Sequence, residues 1–115
     1  MTFTSIESVK GSLSLVDALE NPLRKAGDLL DVLMNAPSDT VALASEDLDP
    51  SFFELRSGLA GDMLQKVSNY RKRLIILGDF SAVESGALQD FIRESNKQGQ
   101  VVFASTLDEA IAKLK

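Results

Sequence analysis

The chain has 115 residues, 44% of them hydrophobic and 25% charged, which is typical of one globular domain. It contains neither cysteine nor histidine, which excludes disulfides, thiolate metal sites and Ser-His catalytic triads. The net charge of −5 argues against nucleic-acid binding. The sequence shows neither a signal peptide nor a long apolar stretch, so we expect a cytoplasmic protein that binds no membrane.

Two strands are predicted at the N-terminus. Residues 2–8 alternate weakly between polar and apolar side chains, and Lys10-Gly11 is typical of a turn. A second run, from Ser12 to Leu19, is the expected partner of the first in a hairpin.

The first helix is predicted to begin at Asn21-Pro22, because asparagine can cap a helix and proline suits its first position. Gly27 weakens that first turn, so a start near Asp28 stays open. Pro37 ends the helix at Asn35-Ala36, since the residue before a proline disfavours the helical conformation. The apolar stripe comprises Leu23, Ala26, Leu30, Leu33 and Met34.

Two short apolar runs, Thr40–Ala44 and Leu74–Leu77, are typical of strands buried on both faces of a parallel sheet. Between them we predict an acidic loop at Glu46–Pro50 and an amphipathic helix. The apolar stripe of that helix comprises Leu59, Ala60, Met63, Leu64, Val67 and Tyr70. We expect Arg71-Lys72-Arg73 to close it by complementing the helix dipole, and Phe52-Phe53 to cover one end of the core.

A third helix is predicted from about Leu88 to a C-cap at Gly99, with a strand after it at Val101–Ala104. The last helix has a capping box, with Thr106 as the cap and Glu109 reaching back to it. Its core-facing residues are Leu107, Ile111 and Leu114.

The element order is thus β-β-α-β-α-β-α-β-α. Strands that alternate with helices are parallel and joined by right-handed crossovers. We therefore predict a single α/β domain over residues 1–115, with a mixed, largely parallel sheet that begins with an N-terminal hairpin.

Ligands of open α/β sheets favour the carboxyl ends of the strands. Three such ends are predicted, at residues 45–47, 78–81 and 105–106. The loops there are expected to gather a polar rim of Glu46, Arg56, Ser57 and Asp79, with Ser81 as a further candidate binding residue. Asp79 can be catalytic there, although an acid in this position more often holds a loop by accepting backbone N–H groups.

Ser57 is the candidate regulatory residue. Directly before a helix, a serine can cap it by accepting a backbone N–H, which is the commoner role. The same N–H groups and the positive end of the helix dipole would also receive a phosphate on the hydroxyl. Gly58 and Gly61 either let the helix pack closely against the sheet, which the sequence favours, or leave the backbone open to a partner.

Catalytic and metal-binding patterns are not evident. The acidic residues Glu46, Asp47, Asp49 and Glu54 match no calcium loop, so a solvated loop is favoured over a metal site. The run Ser57–Gly61 lacks the G-x-S-x-G order of a nucleophile elbow. We expect no metal, no cofactor and no catalytic residue.

Several segments resemble a bacterial family of domains of unknown function, number 4180. The similarity covers about residues 38–115 and is carried by Asp49–Gly61, Leu64–Lys66, Asn69–Arg71, Gly78–Phe80 and Asp90–Asn96. It implies a single-domain cytoplasmic protein and supplies no activity.

The chain resembles the STAS domains of anti-sigma-factor antagonists in two respects. The first is the element order, and the second is a strand followed by Asp-Leu and then by Ser57-Gly58-Leu59, which open a helix. In that family a partner kinase phosphorylates the serine before Gly-Leu, and the phosphate controls partner binding. The resemblance implies a STAS-like fold with Ser57 as the phosphorylated residue. The chain departs from the family at Arg56, which replaces a small residue.

The leading hypothesis is a non-enzymatic regulatory or protein-interaction module with a protein partner, switched by phosphorylation at Ser57. The alternative is a small-molecule binder or a carboxylate-dependent enzyme that works at the rim with Asp79, Glu46 and Arg56. A third hypothesis is a homo-oligomeric structural subunit that associates through an exposed edge strand.

Overall fold

Five strands and four helices follow the chain in the predicted order, and the computed structural model describes every residue from Met1 to Lys115. The strands are β1 (Thr2–Ser8), β2 (Gly11–Ala18), β3 (Thr40–Ala44), β4 (Arg73–Leu77) and β5 (Val101–Ala104). The helices are α1 (Ala26–Asn35), α2 (Leu59–Asn69), α3 (Gly86–Gln98) and α4 (Leu107–Lys113). The predicted α/β class is confirmed. None of the helices has the length and apolar character needed to cross a membrane.

The strands form one sheet in the order β1-β2-β3-β4-β5. β1 and β2 pair antiparallel, whereas all other neighbours pair parallel. The predicted mixed, largely parallel sheet with an N-terminal hairpin is therefore confirmed. The turn lies at Val9-Lys10, one residue earlier than predicted, and Gly11 opens β2 with a φ of 106°.

The sequential strand order determines where the helices lie. Each parallel connection steps to the next strand in the same direction, so right-handed crossovers place α1, α2 and α3 on one face. The core on that face contains 17 buried residues, and the core on the opposite face, where α4 packs, contains only 7. Ile76 belongs to the larger core and Ile75 to the smaller one, both with 0% exposure. β4 is thus buried on both faces, as predicted.

The first helix begins at Ala26, close to the alternative start near Asp28 and not at Asn21-Pro22. Leu23 lies instead in an extended segment that forms an isolated parallel bridge with Leu48. The Asp49 N–H donates to the Leu23 carbonyl at 2.9 Å. This extended form buries the Leu23 side chain to 4% exposure, and such tertiary burial overrides a local helix-start preference.

The basic residues Arg71-Lys72-Arg73 do not close α2, contrary to the prediction. α2 ends at Asn69, and Arg73 is the first residue of β4. The Arg73 guanidinium donates to Thr40 Oγ1 at 2.8 Å and to the Lys10 carbonyl at 2.7 Å. Arg73 therefore connects β4 both to β3 and to the hairpin turn.

Two side-chain predictions are also wrong in part. Tyr70, placed in the apolar stripe of α2, follows the end of that helix and is 44% exposed. Thr106 caps α4 as predicted, because its hydroxyl accepts the Glu109 N–H at 3.2 Å. The Glu109 carboxylate, however, accepts the Ser105 hydroxyl at 3.0 Å rather than reaching back to Thr106.

Ile76→Ala should lower the free energy of unfolding by about 2–5 kcal/mol, because it removes buried apolar groups and leaves a cavity. Unfolding in urea measures this loss. Met34→Ala is the control, since Met34 of α1 is 58% exposed, and its truncation should change the free energy by less than about 0.5 kcal/mol. A loss well under about 1 kcal/mol for Ile76→Ala would contradict the placement of this residue in the core.

Candidate functional site

The carboxyl ends of β3, β4 and β5 lie side by side, but the strand order never reverses. A reversal of strand order is what opens the ligand crevice of doubly wound sheets, so the topology supplies no such crevice here. Instead, aromatic rings pack at this end of the helix-bearing core, with centroids 4.9 to 6.2 Å apart in contacting pairs. The rings belong to Phe52, Phe53, Phe80, Phe91 and Phe103. Phe52 has 0% exposure, which confirms its predicted place over the core.

The ends of β3 and β4 also approach each other closely. A Cβ atom at Gly78 would lie 2.5 Å from Ser45 Oγ and 2.9 Å from Ser45 Cβ, closer than real side chains allow. Glycine is therefore required at the end of β4, and no space for a ligand remains between these two strand ends.

Three short 3-10 turns connect β3 to α2, where the sequence predicted an acidic loop. They span Ser45–Asp47, Pro50–Phe53 and Leu55–Ser57. Acidic residues hold the first two turns: Asp47 accepts the Ala44 N–H at 3.1 Å, and Asp49 accepts the hydroxyl and N–H of Ser51 at 2.5 and 3.1 Å. The two bonds from Ser51 lower the pKa of Asp49. No three acidic side chains in the chain converge to hold a metal ion, and Glu46 is exposed to solvent.

The Ser57 side chain is exposed, and its hydroxyl makes two hydrogen bonds. It donates to the Ser51 carbonyl at 2.6 Å and accepts the Leu59 N–H at 3.2 Å. Because Leu59 is the first residue of α2, Ser57 satisfies one of the unpaired N–H groups of that helix. The cap position itself is occupied by Gly58. The prediction that Ser57 caps α2 is thus wrong in position, although its oxygen does accept a helix N–H.

Gly58 and Gly61 border the start of α2 for different reasons. Gly58 has a φ of 78°, a left-handed conformation that side chains rarely adopt. Gly61 is exposed, and a Cβ atom there would meet nothing within 4 Å. Close packing of α2 against the sheet, the role that the sequence favoured, therefore explains neither glycine.

Arg56 lines a surface depression of about 510 Å³ between the turns that precede α2 and the start of α3. The other lining residues are Phe53, Glu54, Leu55, Ser85 and Ala87. Arg56 is exposed and takes part in none of the three ion pairs of the chain. Leu55 beside it is 37% exposed. Sequence reasoning missed Leu55, Ser85 and Ala87, because only the fold brings the start of α3 beside this turn.

A second depression, of about 290 Å³, lies where β4 and β5 end. Its polar lining residues are Asp79, Ser81, Asn96, Ser105, Glu109 and Lys113. Asp79 accepts the hydroxyl and N–H of Ser81 at 2.6 and 3.0 Å, and these bonds lower its pKa. Glu109 accepts from Lys113 at 3.2 Å and from Ser105 at 3.0 Å, which lowers its pKa too. Asp79 thus holds its loop, the commoner of the two predicted roles.

The residues of the predicted polar rim therefore do not lie together in one site. Asp79 and Ser81 lie together, as the sequence suggested. Arg56 lines a different depression, and Gly61 lines a third one, of about 210 Å³. The surface around Ser57 and Arg56 and the depression at Asp79 are two distinct candidate sites.

The Asp79 carboxyl should titrate below its ordinary pKa of 3.8, because Ser81 donates two hydrogen bonds to the charged form. The pKa of Asp79 is lower in the folded protein than in the unfolded chain, so the hydrogen bonds from Ser81 stabilise the folded loop above pH 3.8. This stabilisation is lost as the pH falls through the folded-state pKa. The chemical shift of the Asp79 carboxyl carbon measures the midpoint.

Ser81→Ala is the comparison for this titration. It removes the hydroxyl, the strongest donor to Asp79, and leaves the backbone N–H, so the midpoint should return part of the way toward 3.8. Equal midpoints in the two proteins would show that the hydroxyl contributes nothing.

Comparisons with known proteins place the chain in a family. No curated protein and no solved structure matches it. The sequence model of the family described as Domain of unknown function (DUF4180) matches residues 11–114. The match includes β2 and α1 and so extends the resemblance seen over residues 38–115, whereas the relation to STAS domains stays a prediction. The chain therefore belongs to the DUF4180 family.

Proposed function

We propose that this domain is a cytoplasmic, non-enzymatic protein-interaction module with a docking surface at Leu55–Gly58 and the start of α3. Phosphorylation of Ser57 switches the surface. The observation that carries the proposal is the position of the exposed Ser57 hydroxyl, which accepts the first N–H of α2 and ends the turn whose Leu55 and Arg56 line the depression.

The chemistry of the surface defines the partner. Leu55, Phe53 and Ala87 give the depression an apolar lining, and Arg56 adds an exposed cation without an ion-pair partner. A partner segment with one large apolar side chain next to a carboxylate fits this lining. The carboxylate would accept two parallel hydrogen bonds from the guanidinium, which is the strongest form of this contact.

The switch follows from the hydrogen bonds of Ser57. A kinase transfers the terminal phosphoryl group of ATP to Ser57 Oγ, and ADP and the hydroxyl proton are released. The esterified oxygen can no longer donate to the Ser51 carbonyl, so the contact at 2.6 Å is lost. The phosphate dianion lies close to the N-terminus of α2, where negative charge is favoured, and beside Arg56. It competes with the carboxylate of the partner for this guanidinium and weakens docking.

The resemblance to STAS domains supports the same reading, because there the serine before Gly-Leu is the phosphorylated residue. The matching residues are Ser57-Gly58-Leu59. Arg56 stands where that family has a small residue, and in our proposal this departure defines the charge of the partner.

A second candidate function uses the depression at Asp79. Asp79, Ser81, Glu109 and Lys113 converge there at the ends of two parallel strands, where small molecules bind in open sheets. A small-molecule binder or a carboxylate-dependent enzyme would work at this place. Support for it is weaker, because both carboxylates already accept hydrogen bonds from neighbouring side chains.

Ser57→Ala and Ser57→Asp separate a structural serine from a switch. Ser57→Ala loses both hydrogen bonds and should cost about 1 kcal/mol of stability. The carboxylate of Ser57→Asp still accepts the Leu59 N–H, at a helix end that favours negative charge, so its cost should be smaller than that of Ser57→Ala. Because Ser57→Ala is then the less stable variant, a loss of partner binding by Ser57→Asp alone reports the added charge. Urea unfolding and co-purification from native cytoplasm measure the two effects.

Ser68→Asp is the charge control, since Ser68 is exposed near the other end of the same helix. We expect the wild type, Ser57→Ala and Ser68→Asp to retain the same partner, Ser57→Asp to lose it, and mass spectrometry to find phosphoserine at Ser57. Identical partner sets for all four proteins, with unmodified Ser57, would defeat the switch.

A further inference from the structure

The two edges of the sheet differ in whether another strand can pair with them. At β5, Asn96 of α3 accepts the Phe103 N–H at 2.7 Å and donates to the Phe103 carbonyl at 3.2 Å. Ser95 of the same helix donates to the Val101 carbonyl at 2.5 Å. These side chains occupy backbone groups on which another strand would have to pair, so the β5 edge is closed.

The β1 edge is open. Its outward backbone groups form no hydrogen bond with another part of the chain. Its seven residues contain a single charged side chain, Glu7, and neither lysine nor proline, the residues that commonly protect exposed edges. An edge of this kind is a template for a further strand.

The hairpin determines which groups of β1 face outward. Ser8 and Gly11 face each other across the two-residue turn, and such a pair exchanges hydrogen bonds. Alternate residues of β1 therefore bond to β2, whereas the N–H and carbonyl groups of Phe3, Ser5 and Glu7 point away from it. Phe3 and Glu7 lie two residues before and two residues after Ser5, so the outward-facing residues are placed symmetrically about Ser5.

We propose that two copies of this chain associate through antiparallel pairing of their β1 strands, about a two-fold axis at Ser5. In this register Phe3 of one copy faces Glu7 of the other, and every outward pair exchanges hydrogen bonds. The two Glu7 side chains are separated by four residues of strand, about 13 Å, which is beyond the screening length at physiological salt.

The ends of β1 identify a second copy as the occupant. Met1 and Val9 bracket the strand and are 49% and 93% exposed, although both are large apolar residues. Pairing about Ser5 places Met1 of each copy opposite Val9 of the other. Half-buried Ile6 comes to lie opposite Thr4, a β-branched pair suited to neighbouring strands. The apolar ends thus add buried area to the backbone bonds, and the surface is complementary to itself, as an isologous interface requires.

The solution mass tests this inference directly. Sedimentation equilibrium of the wild-type chain should give twice the monomer mass of 12.5 kDa. Ser5→Pro removes only an outward N–H, a position where proline is tolerated in an edge strand, so it should fold and sediment as a monomer. Ser5→Lys keeps the N–H but places two like charges opposite each other at the axis, and it should also be monomeric. Ser5→Thr is the control that stays dimeric.

Amide exchange locates the interface. In the wild type the N–H groups of Phe3, Ser5 and Glu7 should be protected together with those of Thr4 and Ile6, and in Ser5→Lys only the latter two should be. Circular dichroism checks that each variant folds. A wild-type chain that stays monomeric overturns the proposal, as does a folded Ser5→Lys that remains dimeric. The outcome does not depend on Ser57, so it leaves the proposed switch to its own test.

Discussion

The right-handed crossover is the constraint on which this fold depends. Because the strands are added in sequence order, it forces α1, α2 and α3 onto one face of the sheet. The other face is left to α4, a helix of only seven residues. The same order leaves the hairpin strand β1 at one edge, and it contains no reversal at which a ligand crevice would open. Both the open edge and the position of the candidate docking surface follow from this one topological choice.

The connection from β3 to α2 shows how the carboxyl edge is used. Packed phenylalanines and a tight approach at Gly78 fill the region where open sheets commonly bind ligands. The turns that complete this packing end in Leu55–Ser57, where apolar, cationic and hydroxyl groups lie at the surface. The burial of Phe52 holds the neighbouring turn in a defined conformation. A preformed surface of this kind can bind a partner with little loss of chain entropy.

Much of the fold could be predicted from the sequence, for identifiable reasons. β3, β4 and β5 are continuous apolar runs, and their burial on both faces is a strong local signal. The end of α3 at Gly99 is equally local, since the φ of 75° there favours glycine. The start at Asn21-Pro22 was wrong because Leu23 is buried through a bridge to Leu48, a contact between distant parts of the chain. Local preferences carry no information about such a bridge.

The candidate site was less predictable than the fold for the same physical reason. A carboxylate and its hydroxyl partner two residues away, such as Asp79 and Ser81, can be recognised in the sequence, and they do lie together. The sequence could not show that Arg56 and Asp79 line separate depressions, because this depends on how the turns between β3 and α2 pack against the start of α3. Asn96 is the clearest case. In the sequence it is one polar residue of a helix, yet it closes the β5 edge by pairing with both backbone groups of Phe103. Topology places β1 and β5 at the two edges, but the closure of the β5 edge depends on side chains of α3, which the sequence of β5 alone does not reveal.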